Sequence, residues 1–362
     1  MPSRRLLTRT AALTLAVTLT AACAVGAGTG ERDRTDPVVA TAAGTASADD
    51  PVDYVVAISV DGLNPDAIRQ LGASGTPALH RMMAEGATTL NARTAYERTI
   101  TLPNHTGMVT GRWVSTAGGH RVTFNDDNGG TVHRSAGRYV ASMFDVAHDR
   151  GRSTAFYSAK HKFDLLNRSW DRAHGAVDRV GPNDGRDKID LYTVSTEAAN
   201  VTRLLRRLRG TPDELSFVHL AQPDRAGHAS GFMSPAYLRA VRAADAQVGR
   251  ILAAVSADPR LHRHVDVVLT ADHGGLGAGH TDPTKAVDYT VPFMVWGVGV
   301  AKGADLYALN ADDRRDPGVG RPAYAGPQPV RNGELANLVL DLLDLPRVPG
   351  STYDTRKTLS VR

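Results

Sequence analysis

A single cysteine, Cys23, stands among the 362 residues, so no disulfide can form within one chain and the core alone must hold the fold. Runs long enough to cross a bilayer are missing too. The apolar stretch from Ala11 to Ala22 falls short of the ~20 residues that a spanning helix needs. Basic runs interleaved with aromatics are absent, and much of the formal charge of +4 lies on Arg4, Arg5 and Arg9 at the start of the chain. Without those arginines the remainder is nearly neutral, which gives no electrostatic footprint for duplex nucleic acid. No internal repeat is visible. The acidic turn that starts at Asn125 lacks the spaced ligands and terminal glutamate of a calcium loop, which excludes that reading.

What the first residues do contain is an export grammar. Arg4, Arg5 and Arg9 followed by the apolar stretch form a secretory signal, read as residues 1–23, and leave Sec and Tat routes both open. Thr20-Ala21-Ala22-Cys23 resembles a bacterial lipobox. Either Cys23 is lipidated, attaching the chain to the outer face of the cytoplasmic membrane, or an ordinary peptidase cuts nearby and the protein is extracellular. Residues 24–50, rich in Ala, Gly, Thr and Asp without periodicity, read as a flexible tether. The catalytic domain is expected over 51–362.

Within that domain, Val55 to Val60, Ser216 to Ala221, Asp266 to Ala271 and Val291 to Trp296 are short, rich in β-branched residues and nearly continuous in apolar character. Such runs suit strands buried on both faces of a parallel sheet. Helical spacing joins Val201, Leu204, Leu205 and Leu208, then Leu238, Val241, Val248, Ile251, Leu252 and Val255 after Ser234-Pro235, then Leu335, Leu338, Val339, Leu342 and Leu343. Thr76-Pro77 reads as a helix start and Gly86 as its end. Alternating strands and helices predict an α/β fold, a mostly parallel central sheet with helices on both faces. Tyr307 to Pro329, dense in Gly, Pro and Asp, is expected to be a long surface loop.

Six metal-ligand types lie at or near the ends of these strands: Asp61, Asp224, His228, Asp272, His273 and His280. In open α/β sheets ligands bind at the carboxyl ends of strands, so residues distant in sequence meet there. Asp224 and His228 are four residues apart, and Asp272-His273 is an adjacent pair followed by Gly274-Gly275. Carboxylate oxygen mixed with imidazole nitrogen suits zinc and related divalent ions. A lone Asp-xxx-His is weak evidence, but two pairs with Asp61 and His280 imply a centre for two metals.

Asp61, Thr101-Leu102-Pro103-Asn104-His105, Gln222-Pro223-Asp224-Arg225-Ala226-Gly227-His228, Asp272-His273-Gly274-Gly275 and His280 follow one another in the order of a known family. The chain resembles the alkaline phosphatase superfamily, particularly its nucleotide pyrophosphatase/phosphodiesterase branch, over about residues 52–350. That resemblance implies an alkaline phosphatase-like fold and two divalent ions, zinc by preference. It implies one ion held by Asp224, His228 and His280, the other by Asp61, Asp272 and His273, and Thr101 as nucleophile. Two divalent cations against three carboxylates and a deprotonated Thr101 leave a centre near neutrality, able to accept an anionic phosphate. Metals about 4 Å apart can activate the attacking oxygen and stabilise the leaving one, help that a threonine hydroxyl needs at neutral pH.

Asn125 would by the same resemblance donate its amide to a phosphoryl oxygen; its competing reading is the first residue of an Asn-Asp-Asp-Asn-Gly-Gly turn. Thr94, Thr99 and Thr106 compete with Thr101 only as turn or cap hydroxyls. Arg121 departs from the small residue expected there and would either face solvent or bind phosphate oxygens. Asp282 could orient His280, while His105, His120 and His161 are read as supporting or core side chains. Sulfatases share the fold, but their Cys/Ser-x-Pro-x-Arg string is absent. The expectation is an exported phosphodiesterase or nucleotide pyrophosphatase acting on a small phosphorylated substrate through a phospho-threonine. Its alternatives are a phosphomonoesterase or phosphonate hydrolase on this scaffold, or a non-catalytic surface-binding protein. Specificity is expected in the loops around 126–138, 160–190 and 305–330.

Overall fold

The four apolar runs lie side by side at the centre of one sheet of eight strands. The computed structural model describes residues 52–181, 184–353 and 357–362; the signal and tether expected over 1–50 lie outside them. In chain order the strands are β1 Tyr54–Val60, β2 Ala87–Arg93, β3 Thr154–Ser158, β4 Leu191–Val194, β5 Leu215–Leu220, β6 Val265–Thr270, β7 Thr290–Trp296 and β8 Ala304–Asp305. Their spatial order is β4-β3-β5-β1-β6-β7-β2-β8. β4, β3, β5, β1 and β6 pair in parallel, β7 is antiparallel to both β6 and β2, and β8 is parallel to β2. Only β7 runs backwards.

That reversal matters for the site. A strand antiparallel to β6 begins at the edge where β6 ends, so the connection carrying Asp272, His273 and His280 stays at the carboxyl edge of the sheet. The central strands are buried on both faces almost throughout, as their unbroken apolar character requires.

The helices fall into two contacting groups, Pro65–Gly75, Pro77–Glu85, Glu197–Arg209 and Pro235–Ala257 in one, Thr101–Thr110, Met143–His148 and Leu335–Leu342 in the other. Each group packs on the sheet, giving a helical layer on either side. Ser234 accepts a hydrogen bond from the Tyr237 N–H and caps the long helix, whose Val241, Val248, Ile251, Leu252 and Val255 are buried while Leu238 is only partly so. Thr76 does precede a helix, but its hydroxyl donates backward to the Gly72 carbonyl instead of capping forward. Gly86 is extended at φ −139°. Its glycine is required by close approach, because a Cβ there would lie 2.0 Å from the Val295 carbonyl oxygen on β7.

The Gly/Pro-rich stretch after Tyr307 departs from a simple surface loop. Leu306–Leu309 is a helical turn, and Leu306 and Tyr307 are buried. The buried Arg93 donates to the carbonyls of Gly318 and Gly320 at 2.7 and 2.9 Å, so a long-range guanidinium satisfies loop backbone that would otherwise need water.

β6 also buries an acid. Asp266 accepts the Val298 N–H through Oδ1 at 2.7 Å, its Oδ2 has no partner, and burial pushes its carboxyl up to about 7. The folded state therefore keeps a proton that the unfolded chain releases near 3.8, so this group's contribution to stability falls as pH rises through neutrality. Asp266→Asn keeps the acceptor without the charge. The melting temperature of the variant should exceed that of wild type by several degrees at pH 9 and by much less at pH 5, read by thermal denaturation at both values.

Candidate two-metal hydrolase site

Every ligand predicted from the sequence reaches one crevice at the carboxyl edge of the sheet. Asp61 follows β1 directly, Asp224 and His228 lie one turn apart on the helix Gln222–Ser230 after β5, and Asp272 and His273 follow β6. Asp224, His228 and His280 form one group and Asp61, Asp272 and His273 another, each with its ligand atoms within 4.8 Å of one another.

The hydrogen bonds around these groups point the ligand atoms inward. Asp272 spends Oδ1 on the N–H groups of Gly62 and His273, both at 3.0 Å, and leaves Oδ2 buried without a partner. Asp61 spends Oδ2 on His219 Nε2 at 2.8 Å and Lys160 Nζ at 2.6 Å, and leaves Oδ1 bare. Asp224 gives Oδ2 to the same Lys160 Nζ at 2.6 Å and leaves Oδ1 bare. His273 donates from Nδ1 to the Gly274 carbonyl and leaves Nε2 bare; His280 donates from Nδ1 to the Thr99 carbonyl at 2.7 Å. Buried polar atoms are ordinarily satisfied. Here the unsatisfied ones are the atoms a metal would take.

Their spacing fits the same reading. His273 Nε2 lies 3.2 Å from Asp272 Oδ2 and 3.5 Å from Asp61 Oδ1; His228 Nε2 lies 3.2 Å from Asp224 Oδ1 and 3.1 Å from His280 Nε2. Ligands about 2.0–2.1 Å from a tetrahedral zinc sit roughly 3.3 Å from one another. Burial lowers His273 to about 4, and burial with the neighbouring His273 lowers His280 to about 3, so both imidazoles are neutral at physiological pH, as ligation demands. Burial, reinforced by Asp61, pushes the Asp272 carboxyl well above its ordinary range. Burial works in the same direction on Asp61, but Lys160 and His219 outweigh it and hold that carboxyl well below.

Glycine shapes this crevice. Gly62 is left-handed at φ 71°, and a Cβ on Gly227 or Gly275 would come within 2.6 or 2.7 Å of the Phe232 ring. Phe232 packs edge-on against His228 and His280. The half-exposed His228 side chain marks the open side of the site.

Thr101 opens the buried helix Thr101–Thr110, and among the described residues no protein group bonds its hydroxyl. Two contacts tie it to the metal groups: His280 bonds to Thr99, and His105 donates to the Thr101 carbonyl at 2.9 Å while its Nδ1 stands 3.6 Å from Asp272 Oδ2. Asn104 accepts from the Ala95 N–H, and Asn332 bridges Asn104 to the Ala271 carbonyl, both at 3.1 Å. Asn125 is partly buried, and its Oδ1 accepts the Leu102 N–H at 2.9 Å. That leaves its amide NH2 free beside Thr101, while the turn reading also holds, since Asp127 and Asn128 accept the backbone N–H groups of Gly129 and Gly130.

Other sequence expectations shift. Asp282 bonds Thr284 and is 43% exposed in its side chain, so it does not orient His280, which uses the Thr99 carbonyl. Arg121 is exposed, with φ 59°, and its side chain bonds to nothing among the described residues. His161 is a surface residue paired with Asp164, and His120 is buried. Lys160 and His219 were not singled out from the sequence; the position of Lys160 just after β3, at the same sheet edge, was the available signal. In a third group, His148, Asp178 and Asp184, the buried Lys188 already occupies Asp178, its Nζ 2.5 Å away.

The type I phosphodiesterase / nucleotide pyrophosphatase family matches residues 55–312. The chain belongs to that family. It is therefore a member of the nucleotide pyrophosphatase/phosphodiesterase branch of the alkaline phosphatase superfamily, a family of phosphate ester hydrolases. Among its relatives are ectonucleotide pyrophosphatase/phosphodiesterase family member 3 of Rattus norvegicus, 22% identical over 61% of this chain and 24% of the relative. Member 1 of Homo sapiens is 24% identical over 60% of this chain and 23% of the relative. The chain thus spans about a quarter of the length of these curated relatives. Murine ectonucleotide pyrophosphatase/phosphodiesterase 5, solved as an inactive variant in complex with AMP, shares the fold at TM-score 0.56 and 14% identity, covering 82% of this chain and 96% of that one. The human form of the same protein gives TM-score 0.56 at 15% identity, over 82% and 96% of the two chains.

Proposed function

We propose that the protein is an exported phosphodiesterase or nucleotide pyrophosphatase that transfers the substituted phosphoryl group of its substrate to Thr101, releasing the leaving alcohol or phosphate, and then to water. The observation that carries this reading is the set of bare, buried atoms Asp61 Oδ1, Asp224 Oδ1, Asp272 Oδ2 and His273 Nε2, facing one another, with the first turn of the Thr101 helix tied to Asp272 through His105. Asp224, His228 and His280 would hold one divalent ion and Asp61, Asp272 and His273 the other, with zinc favoured by the mixture of carboxylate and imidazole. When bound, the ions supply Lewis-acid stabilisation to the attacking and leaving oxygens.

The rest belongs to the chain. Thr101 stands at a helix N-terminus, where the helix dipole favours negative charge on an approaching phosphoryl group. Asn125, anchored through Oδ1, has its NH2 free to donate to a phosphoryl oxygen and to orient the phosphorus for in-line attack. His105 and Asn104 keep the first helical turn from shifting. Export follows from the signal at 1–23, with attachment to the outer face of the membrane if Cys23 carries lipid.

One observation favours a phosphomonoesterase or phosphonate hydrolase as the second reading. Lys162 is partly buried within electrostatic reach of Asp61 and Asp224, its ammonium forms no hydrogen bond among the described residues, and burial with the neighbouring Lys160 lowers its pKa. A cation so placed suits a phosphoryl group with two charges. The test is kcat/KM of the purified protein for a nucleotide diester, a lipid-like diester, a monoester and a phosphonate. The nucleotide diester should be the best substrate; a monoester preference that Lys162→Ala reverses would replace the first reading with the second. Absence of turnover on all of them would leave a surface-binding protein.

A further inference from the structure

Lys160 is the only side chain that bonds to a carboxylate of both metal groups among the described residues. Its Nζ lies 2.6 Å from Asp61 Oδ2 and 2.6 Å from Asp224 Oδ2, and its side chain is 13% exposed. It lies two residues after β3, anchored by its own N–H on Ser158 Oγ, while Ser158 donates to the Lys160 carbonyl. Arg225, the residue after Asp224, bonds the Ala159 carbonyl, and the Ala159 N–H donates to His219 Nδ1 at 3.3 Å. That last bond fixes the tautomer: Nδ1 accepts, so Nε2 carries the proton it donates to Asp61. The segment Ser158–Lys160 therefore touches the surroundings of both metal groups at once.

The choice of oxygen is informative. An ammonium drawn in merely to neutralise the acids would lie among the inward-facing atoms. Instead it takes Oδ2 of each carboxylate and leaves Oδ1 of each bare. A carboxylate with one oxygen pinned cannot rotate its other oxygen away without breaking that bond.

We propose that Lys160 is a positioning residue that straps Asp61 to Asp224, turns one free oxygen of each toward its own metal, and thereby couples the two half-sites. The inference rests on the two-metal reading above. Partners of metal ligands of this kind are worth about 10–100-fold in metal affinity, and here one side chain serves two ligands. Its loss should weaken both ions, not one. The strap also keeps a positive charge within the loaded centre, so the simple balance of two cations against three carboxylates and an alkoxide understates the attraction for an anionic substrate by one unit.

Two effects of removing the lysine oppose each other. Loss of orientation weakens metal binding, whereas loss of a nearby positive charge strengthens it. The measured sign therefore separates a strap from a mere competitor for the acids. The experiment strips the purified chain with chelator and titrates it with Co2+, followed by its visible absorption, and with Zn2+ against a competing chelator, for wild type, Lys160→Met and Lys160→Arg, each checked for folding by circular dichroism. Wild type should take up two ions. Lys160→Met should bind both about 10–100-fold more weakly, and Lys160→Arg, which keeps a charged donor able to span two carboxylates, should recover most of the loss. Should Lys160→Met not fold, Lys160→Gln takes its place with the same expectation. Equal or tighter binding by the neutral variant, or weakening at one half-site alone, overturns the strap while leaving the metal reading intact. A wild-type protein that binds no ion overturns both.

Discussion

Thr101→Ala should leave the protein folded and loaded with its metals while turnover of a chromogenic phosphodiester falls by about a thousandfold or more. The expectation follows from what the threonine does and does not hold. Its hydroxyl bonds no protein group among the described residues, and the helix it opens is fixed by other side chains: Asn104 to Ile100 and Arg98, His105 to the Thr101 carbonyl, Asn332 to Asn104. Alanine is also the best helix former. None of the six ligand atoms depends on the hydroxyl, so metal content measured by elemental analysis should match wild type. What disappears is the nucleophile, and with it the split of one difficult displacement into two easier ones. Turnover near the wild-type rate would show that Thr101 is not the nucleophile.

The site was legible in the sequence to the extent that chain order and strand ends define it. Asp61, Asp224 and Asp272-His273 each follow a run whose continuous apolar character already says buried strand, and the strand-end rule places them together. His280 was harder. It precedes a strand, and only the reversal of β7 against β6 brings the start of that strand to the edge where the others end. Antiparallel pairing of one strand in a mostly parallel sheet depends on what its faces pack against, which no local pattern records.

Lys160 and His219 escaped for different physical reasons. His219 lies inside β5, fully buried between apolar neighbours, and a histidine in such a run looks like core until its ring nitrogen is seen on Asp61. Lys160 follows β3, a five-residue strand too short to stand out by periodicity, and a lysine on a loop is most often solvated. The Gly/Pro-rich stretch after Tyr307 is the loop expected, but two of its carbonyls are satisfied from a distance, by Arg93 on β2. Turn chemistry predicts a loop correctly but says nothing of what the loop lies upon.

Removing the metals should have the other large effect. Incubation with a strong chelator should cut turnover of the same phosphodiester by at least about a thousandfold, with Zn2+ restoring it, because Lewis-acid stabilisation of both oxygens is lost together. The fold should survive. The carboxylates remain partly compensated by Lys160, His219 and the amides of Gly62 and His273, and the surrounding strands are buried independently of the site. Some stability should still be lost, since bare Asp272 Oδ2 and His273 Nε2 are buried polar atoms left without partners. Wild type should therefore melt higher with Zn2+ than without it, by mass action on the folded state. Asp272→Asn separates the two ions: it keeps the Oδ1 acceptor for Gly62 and His273 but replaces the charged ligand oxygen by an amide. That variant should retain one tightly held ion on Asp224, His228 and His280, lose the other by more than the about 100-fold that loss of an outer partner costs, and turn over poorly even at saturating Zn2+. If the chelated enzyme keeps its rate, or if active protein contains no transition metal by elemental analysis, the bare atoms at the sheet edge serve some purpose other than ligation and the two-metal mechanism is wrong.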